Sequence, residues 1–129
     1  MYNFDLKSKI YIYTILYDNY GNGFPINSLV DTGSDITFIT ENLFKRFNFK
    51  EIGSGEMTTG NNTVSSVKLV DVNISLLNHP KYTFATVGVM PNKKGFDILI
   101  GMDIISYSNI SINTNNTGFS FDIELPSCK

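Results

Sequence analysis

Several features that define common protein classes are absent or scarce in this 129-residue chain. It has no tryptophan, one cysteine and one histidine. The single cysteine, Cys128, cannot form an internal disulfide, so nothing indicates an oxidising compartment. No apolar run reaches the roughly 18 residues that a membrane-spanning helix needs, and no signal-peptide pattern opens the sequence. We therefore expect a cytoplasmic protein that does not bind a membrane.

An excess of charge of one sign is also missing. Lys and Arg total 10 and Asp and Glu total 12, so the formal net charge is -2. Without a basic surface, we expect no nucleic-acid partner. The only histidine, His79, stands in a turn with no Cys or other His near it, which argues against a metal site. The glycine pairs at 21–23 and 53–55 precede no helix, so no phosphate loop is indicated, and we expect no cofactor.

What the chain has in quantity is strand sequence. Segments rich in β-branched and aromatic residues alternate with short turns that contain Asn and Gly. The predicted strands cover 9–17, 24–30, 35–40, 51–59, 64–76, 81–90, 96–101, 108–114 and 119–125. Two short helical pieces are predicted at 41–47, where Thr40 can serve as N-cap, and at 102–107. This pattern predicts a single, mostly β domain over residues 1–129, built as a small barrel or sandwich.

One stretch combines strand sequence with chemically active groups. In LVDTGSDITFIT, residues 29–40, apolar strands flank a turn that contains Asp31, Thr32, Gly33 and Ser34. A glycine lets the backbone approach a carboxylate closely, and the two hydroxyls can hold the turn or donate to the acid. Such a turn can present a fixed carboxylate that is shielded from water. It can also be only a tight turn in which Asp31 caps a backbone N–H.

The motif VDTGSDITFI resembles the active-site loop of aspartic proteases, which carry Asp-Thr/Ser-Gly-Ser/Ala between apolar strands. A second matching piece is ILIG at 98–101, which in that family crosses behind the catalytic loop. The resemblance extends from about Lys9 to about Asp122 and is closest to the retropepsin-like group, especially its non-viral members. It implies a small closed β-barrel of the acid protease type, with one or two short helices and a flap hairpin.

The resemblance also implies the mechanism of an aspartic endopeptidase. In that family two aspartates share a proton across one water molecule, which one of them activates for attack on a peptide bond. This chain has one Asp-Thr-Gly motif. The second aspartate is therefore expected to be Asp31 of another copy, in a homodimer with its active site on the two-fold axis. The catalytic residues so implied are Asp31, Thr32 and Gly33.

By the same resemblance, residues 55–65 form a flap over an extended peptide substrate. The residues expected to bind substrate lie in the loop, in this flap and in the ILIG segment. They are Ser34, Asp35, Ile36, Thr59, Gly60, Asn61 and Leu99. For Asp35 the alternative is a solvated acid at the start of a strand. Two further acids have plainer interpretations, since Asp103 can cap the helix after Gly101 and Asp97 can end a loop.

The sequence departs from the viral members at one supporting position. Met102 stands where they carry an arginine that pairs with the acid after the catalytic loop. Dimer assembly therefore does not carry over from them. Two other hypotheses remain: a catalytically silent retropepsin-like module that binds peptides or dimerises, and an unrelated β domain with a chance Asp-Thr-Gly turn.

Overall fold

The computed structural model describes residues 2–5, 9–58, 61–76, 82–114 and 118–124. These described residues form ten strands and two short helices. In chain order they are β1 (Tyr2–Asp5), β2 (Ile10–Tyr17), β3 (Gly23–Val30), β4 (Phe38–Thr40), α1 (Glu41–Arg46), β5 (Gly53–Thr58), β6 (Val64–Leu76), β7 (Tyr82–Met90), β8 (Ile98–Ile100), α2 (Met102–Ile105), β9 (Asn109–Thr114) and β10 (Gly118–Glu124).

Most strands belong to one sheet that closes on itself. The sheet is seven-stranded in the order β2-β3-β8-β4-β7-β6-β5, and a further pairing joins β2 to β6. That pairing, from Thr14↔Leu76 to Leu16↔Ile74, completes a closed barrel. β5 remains outside the closed ring and pairs with β6. Closure removes exposed strand edges, which explains how so many short strands form a stable unit.

The barrel interior holds the main core. Alternation along β2 buries Ile12, Thr14 and Leu16 while Tyr11 and Tyr13 face outward, as a strand with one buried face requires. The core residues with the least exposure are Ile12, Leu16, Ile39, Leu43, Val70, Ile74, Val87, Ile98, Ile100 and Ile123. Each aliphatic side chain fully buried here contributes roughly 1.5–3 kcal/mol to folding. The buried Thr14 and Ser28 hydroxyls satisfy each other at 2.6 Å.

Helix α1 begins as the sequence predicts. Thr40 is its N-cap, and the Thr40 side chain accepts a hydrogen bond from the Leu43 amide. Leu43 is buried on the core face, whereas Lys45 and Arg46 in the last turn suit the helix dipole. Glu41 lies 3.6 Å from Lys68 Nζ, an ion pair that links α1 to β6.

A second sheet joins the two ends of the described chain. Its order is β1-β10-β9, with Tyr2 opposite Phe121 and Phe119 opposite Thr114. The strands predicted at 108–114 and 119–125 are confirmed as β9 and β10, which pair antiparallel. The sequence does not predict β1, because a four-residue strand gives too little periodicity. Ile123 of β10 is buried with the barrel core. No helix among the described residues is long and apolar enough to span a membrane.

Two predicted strands are shorter than expected. The strand predicted at 35–40 begins only at Phe38, because the Ser34 hydroxyl donates to the Ile36 carbonyl at 2.7 Å and holds residues 35–36 in a bend. The strand predicted at 96–101 is confined to Ile98–Ile100. In the first case a polar contact outside the strand ladder overrides local strand propensity.

Candidate active site

The segment after β3 is fixed to the neighbouring strand β8. β3 and β8 run parallel, with Leu29 beside Leu99 and Val30 beside Ile100. The pairing continues one residue further, since the Asp31 amide donates to the Ile100 carbonyl at 2.9 Å. The backbone of Asp31 is therefore set by the barrel itself.

Residues 31–34, which we call the DTGS turn, then reverse the chain. The Gly33 amide donates to Asp31 Oδ1 at 2.8 Å, and the Ser34 amide donates to the Asp31 carbonyl at 3.3 Å. A Cβ at position 33 would lie 3.1 Å from Asp31 Oδ1, so glycine allows the carboxylate to approach its own turn. One carboxylate oxygen is thereby held while Thr32 and Gly33 remain exposed.

The exit of the turn rests on the start of α2. The Met102 amide donates to the Ser34 carbonyl at 2.7 Å, and the Asp103 amide donates to the Asp35 carbonyl at 3.1 Å. Gly101 makes this approach possible. A Cβ there would stand 2.8 Å from the Ser34 carbonyl oxygen and closer still to the Ile36 carbonyl.

A cleft of about 430 Å³ opens beside the DTGS turn. One wall is the exit of the turn and the other is β5. The residues that line the cleft are Gly33, Ser34, Asp35, Ile36, Phe38, Glu56, Met57 and Thr58. The walls carry both apolar side chains and two carboxylates, Asp35 and Glu56.

A small apolar cluster lies at this end of the barrel, separate from the main core. Phe38, Val67 and Met90 are its buried members. The partly buried side chains packed against them are Ile36, Met57, Phe96 and Leu99. The cluster joins β5 to the DTGS-turn side of the cleft through Met57 and Phe38.

The residues that the sequence predicted for substrate binding are only partly brought together. Ser34, Asp35 and Ile36 line the cleft. Leu99 packs in the apolar cluster with Ile36 but is not among the lining residues. Asn61 is exposed in the turn region after β5. The predicted Thr59 and Gly60 lie outside the described residues, as do His79 and Cys128.

Several residues at the site were missed by sequence reasoning. Glu56, Met57 and Thr58 were assigned only to the hairpin, although alternation along β5 indicates which of its side chains share a face. Asp103 was interpreted as the cap of α2, but the N-cap is Gly101, with no side-chain cap. The Asp103 carboxylate instead accepts from the amide and the hydroxyl of Thr37, at 3.0 and 2.7 Å.

A second, smaller depression of about 250 Å³ lies between the β2–β3 turn and the end of α1. It includes no residue of the DTGS turn. The Asp18 carboxylate there accepts hydrogen bonds from the amides of Tyr20 and Asn22 within its own turn. Desolvation acts to raise the pKa of Asp18, but the hydrogen bonds from Asn22 and Tyr20 outweigh it and hold the pKa below its ordinary value.

Metal ligands are not grouped in the part of the chain that the structure describes. No set of three or more His, Cys, Asp or Glu side chains there could hold a metal ion. The two carboxylates that line the cleft, Asp35 and Glu56, come from its opposite walls.

Comparison with known proteins gives the family. The sequence model of the aspartyl protease family matches residues 19–104. This match spans both the DTGS turn and the segment that crosses behind it. The chain belongs to the aspartyl protease family. No curated protein matches the sequence significantly.

Two solved structures give the same fold. The EIAV protease, complexed with an inhibitor, has a TM-score of 0.59 at 17% identity, covering 80% of this chain and 90% of that one. The retroviral protease-like domain of Ddi1 from Leishmania major has a TM-score of 0.55 at 13% identity, covering 88% and 94%. A retropepsin-like aspartic protease from Rickettsia conorii scores 0.48 at 14% identity, covering 96% and 99%. The EIAV protease and the Ddi1 domain, with TM-scores of 0.59 and 0.55, confirm the predicted retropepsin-like fold.

Proposed function

We propose that the protein is a homodimeric aspartic endopeptidase that hydrolyses peptide bonds in extended polypeptides. The observation that carries this proposal is the cleft of about 430 Å³ between the DTGS turn and β5. Asp31 and Thr32 do not line the cleft, but Gly33 does, and the Gly33 amide donates to the Asp31 carboxylate at 2.8 Å. The barrel fixes the backbone of Asp31 through its amide, which donates to the Ile100 carbonyl. Asp31 is the catalytic residue, and Thr32 and Gly33 support it.

Hydrolysis by this route needs a base and an acid at the same water molecule. One carboxylate removes a proton from water as its oxygen attacks the scissile carbonyl, and a protonated carboxyl group donates to the carbonyl oxygen. The sequence supplies one Asp-Thr-Gly motif. Asp31 of a second copy is the group that would complete the pair. The exposure of Thr32 and Gly33 leaves this surface accessible to such a copy.

The β5–β6 hairpin serves in this proposal as the flap. β5 is mostly exposed, and its residues 56–58 face the cleft opposite Ser34, Asp35 and Ile36. A substrate strand between these walls would gain main-chain hydrogen bonds, and its side chains would meet the apolar cluster. Asn61, Leu99, Thr59 and Gly60 are further substrate-binding residues in this proposal.

Cleavage of an unstructured peptide pool, followed by mass spectrometry, tests the proposal. The wild-type protein and Asp31→Asn would be compared between about pH 3 and about pH 8, the range over which carboxyl catalysts work. The substituted side chain keeps an acceptor oxygen for the Gly33 amide, so we expect an unchanged unfolding temperature and no cleavage. Asp71→Asn is the matched control, because Asp71 is an exposed aspartate that accepts from Thr86 at 2.6 Å and lines no part of the cleft.

Mixing the two proteins tests the shared site. If the active site needs Asp31 from both copies, excess Asp31→Asn protein will suppress the wild-type activity by forming mixed dimers. An unchanged wild-type rate after subunit exchange would contradict the dimer. Peptide binding without cleavage by the wild type would instead favour the catalytically silent module.

A further inference from the structure

Two threonines on one short segment make the same kind of contact with two different aspartates. Thr37 Oγ1 donates to Asp103 Oδ1 at 2.7 Å, and Thr40 Oγ1 donates to Asp97 Oδ1 at 2.8 Å. Both threonines are buried, at 1% and 0% exposure. The two pairs therefore have nearly the same chemistry and burial but different surroundings.

The Thr37–Asp103 pair engages both carboxylate oxygens, whereas in the other pair the Thr40 amide donates to the backbone carbonyl of Asp97 at 3.0 Å. Besides the hydroxyl, the Thr37 amide donates to Asp103 Oδ2 at 3.0 Å. The Asp103 carboxylate also accepts from the Ile104 amide at 2.9 Å. Thr37 Oγ1 in turn accepts from the Gly101 amide at 3.0 Å. Two-point contact fixes both the distance and the angle between α2 and the segment that leaves the DTGS turn.

This pair lies behind the turn and outside the cleft. The described residues that line the cleft include neither Thr37 nor Asp103. Asp103 is nevertheless joined to the turn exit, since its amide and that of Met102 hold the carbonyls of Asp35 and Ser34. A displaced α2 would therefore move the exit of the turn that carries Asp31.

We propose that Asp103, through Thr37, is a positioning residue for the Asp31 carboxylate. The proposal rests on the proposed protease function. The pair holds the DTGS turn within each subunit, so that the carboxylate has its productive orientation before substrate binds. Its contribution falls on the chemical step, because neither side chain reaches the cleft where a peptide would bind.

Thr37→Val removes the hydroxyl at nearly constant volume and leaves the Gly101 amide without its acceptor. We expect kcat to fall between about tenfold and about a hundredfold, the range for a small misplacement of a catalytic group, with KM nearly unchanged. Thr37→Ser retains the hydroxyl and is expected to restore kcat. Asp103→Asn is the second variant, because its amide nitrogen cannot accept from Thr37 and kcat should fall likewise.

Thr40→Val is the matched control. It removes the same group from the same segment and also the N-cap contact to the Leu43 amide, at 3.4 Å. We expect it to lower the unfolding temperature at least as much as Thr37→Val does, while leaving kcat unchanged. Equal losses of kcat in both variants, or no loss in Thr37→Val, would overturn the proposal.

Amide hydrogen exchange separates this proposal from the protease function. In Thr37→Val the amides of Met102 and Asp103 should exchange at least about tenfold faster, because their contacts to the turn exit open more often. In Thr40→Val their exchange should match the wild type. A wild-type protein that cleaves no peptide would contradict the protease function. The exchange rates of the Met102 and Asp103 amides do not depend on cleavage, so they would still test the positioning role. Unchanged exchange of these amides in Thr37→Val would overturn the positioning role.

Discussion

The two walls of the cleft are built in opposite ways. The DTGS-turn wall is held at its entry by β8 and at its exit by α2, with four backbone hydrogen bonds of 2.7–3.3 Å formed by the amides of Asp31, Ser34, Met102 and Asp103. Within the described part of the chain, β5 pairs with β6 alone, and most of its residues are exposed. The first wall fixes the backbone of Asp31, the proposed catalytic residue, whereas the second lies outside the closed ring of strands. Substitutions in the first should therefore reduce stability, and those in the second should mainly affect substrate binding.

Paired glycine substitutions test this contrast with the largest expected effect. Gly101→Ala places a Cβ against the backbone carbonyls of Ser34 and Ile36, where no flexible side chain can yield. We expect a loss of about 3 kcal/mol or more in the free energy of unfolding, measured by denaturant titration. Gly55→Ala on β5 is the control, since its Cβ would only touch the Leu69 side chain at 3.7–3.9 Å.

For Gly55→Ala we expect a change within about 1 kcal/mol, with a stabilising sign where reduced freedom of the unfolded chain dominates. Similar losses in the two variants would mean that β5 is as tightly constrained as the DTGS turn. A Gly101→Ala protein with wild-type stability would show that α2 can withdraw from the turn, which contradicts the contrast directly.

How far the sequence predicts this arrangement depends on whether the contacting residues are close together or far apart in the sequence. The strands at 9–17 and 24–30 and the Thr40 cap follow from local alternation and turn residues, and all are found. The strand after Asp31 is also found, but it begins only at Phe38. The ILIG segment is identified through its resemblance to the aspartic proteases, since the local pattern alone predicts only a short apolar strand.

What the sequence does not predict are contacts that chain topology creates. Asp103 and Thr37 are 66 positions apart, and nothing in the local pattern of either residue indicates the other. An aspartate at the start of a helix fits the local pattern of a helix cap, so the sequence alone favours that interpretation over a contact with Thr37. The sequence predicts the flap over residues 55–65 but not which of its residues line the cleft, because the opposite wall is formed by distant sequence.

Truncations within the apolar cluster compare the two walls through their side chains. Phe38 is 5% exposed on the turn side, so Phe38→Ala should reduce stability by about 3–5 kcal/mol. Met57 of β5 is only partly buried, so Met57→Ala should cost about 1 kcal/mol or less. In the proposed protease, the main effect of Met57→Ala should be on substrate binding. KM should rise about tenfold for substrates with a large apolar side chain near the scissile bond.

Thermal unfolding of each variant measures the loss of stability. Steady-state kinetics of Met57→Ala with peptide substrates measure KM. Met57→Ala with a large stability loss and an unchanged KM would mean that Met57 supports the barrel rather than the substrate. For Phe38→Ala only the loss of stability is predicted, so the unfolding measurement alone tests it and no kinetics are needed.

The smallest effect on stability is expected from removing the surface ion pair between Glu41 of α1 and Lys68 of β6, which lies next to the start of β5. Glu41 of α1 lies 3.6 Å from Lys68 and 4.0 Å from Lys45, and Lys68 stands opposite Ser54 in the β5–β6 ladder. Because both lysines are exposed and the Glu41 side chain is 32% exposed, Glu41→Gln should lower stability by about 0.5 kcal/mol or less, and high salt should remove the difference. Unfolding temperatures at low and high salt measure it. A loss above about 1 kcal/mol that persists in high salt exceeds what an exposed pair can supply. It would mean that α1 anchors β5 through β6, and that the two walls differ less in rigidity than their backbone contacts indicate.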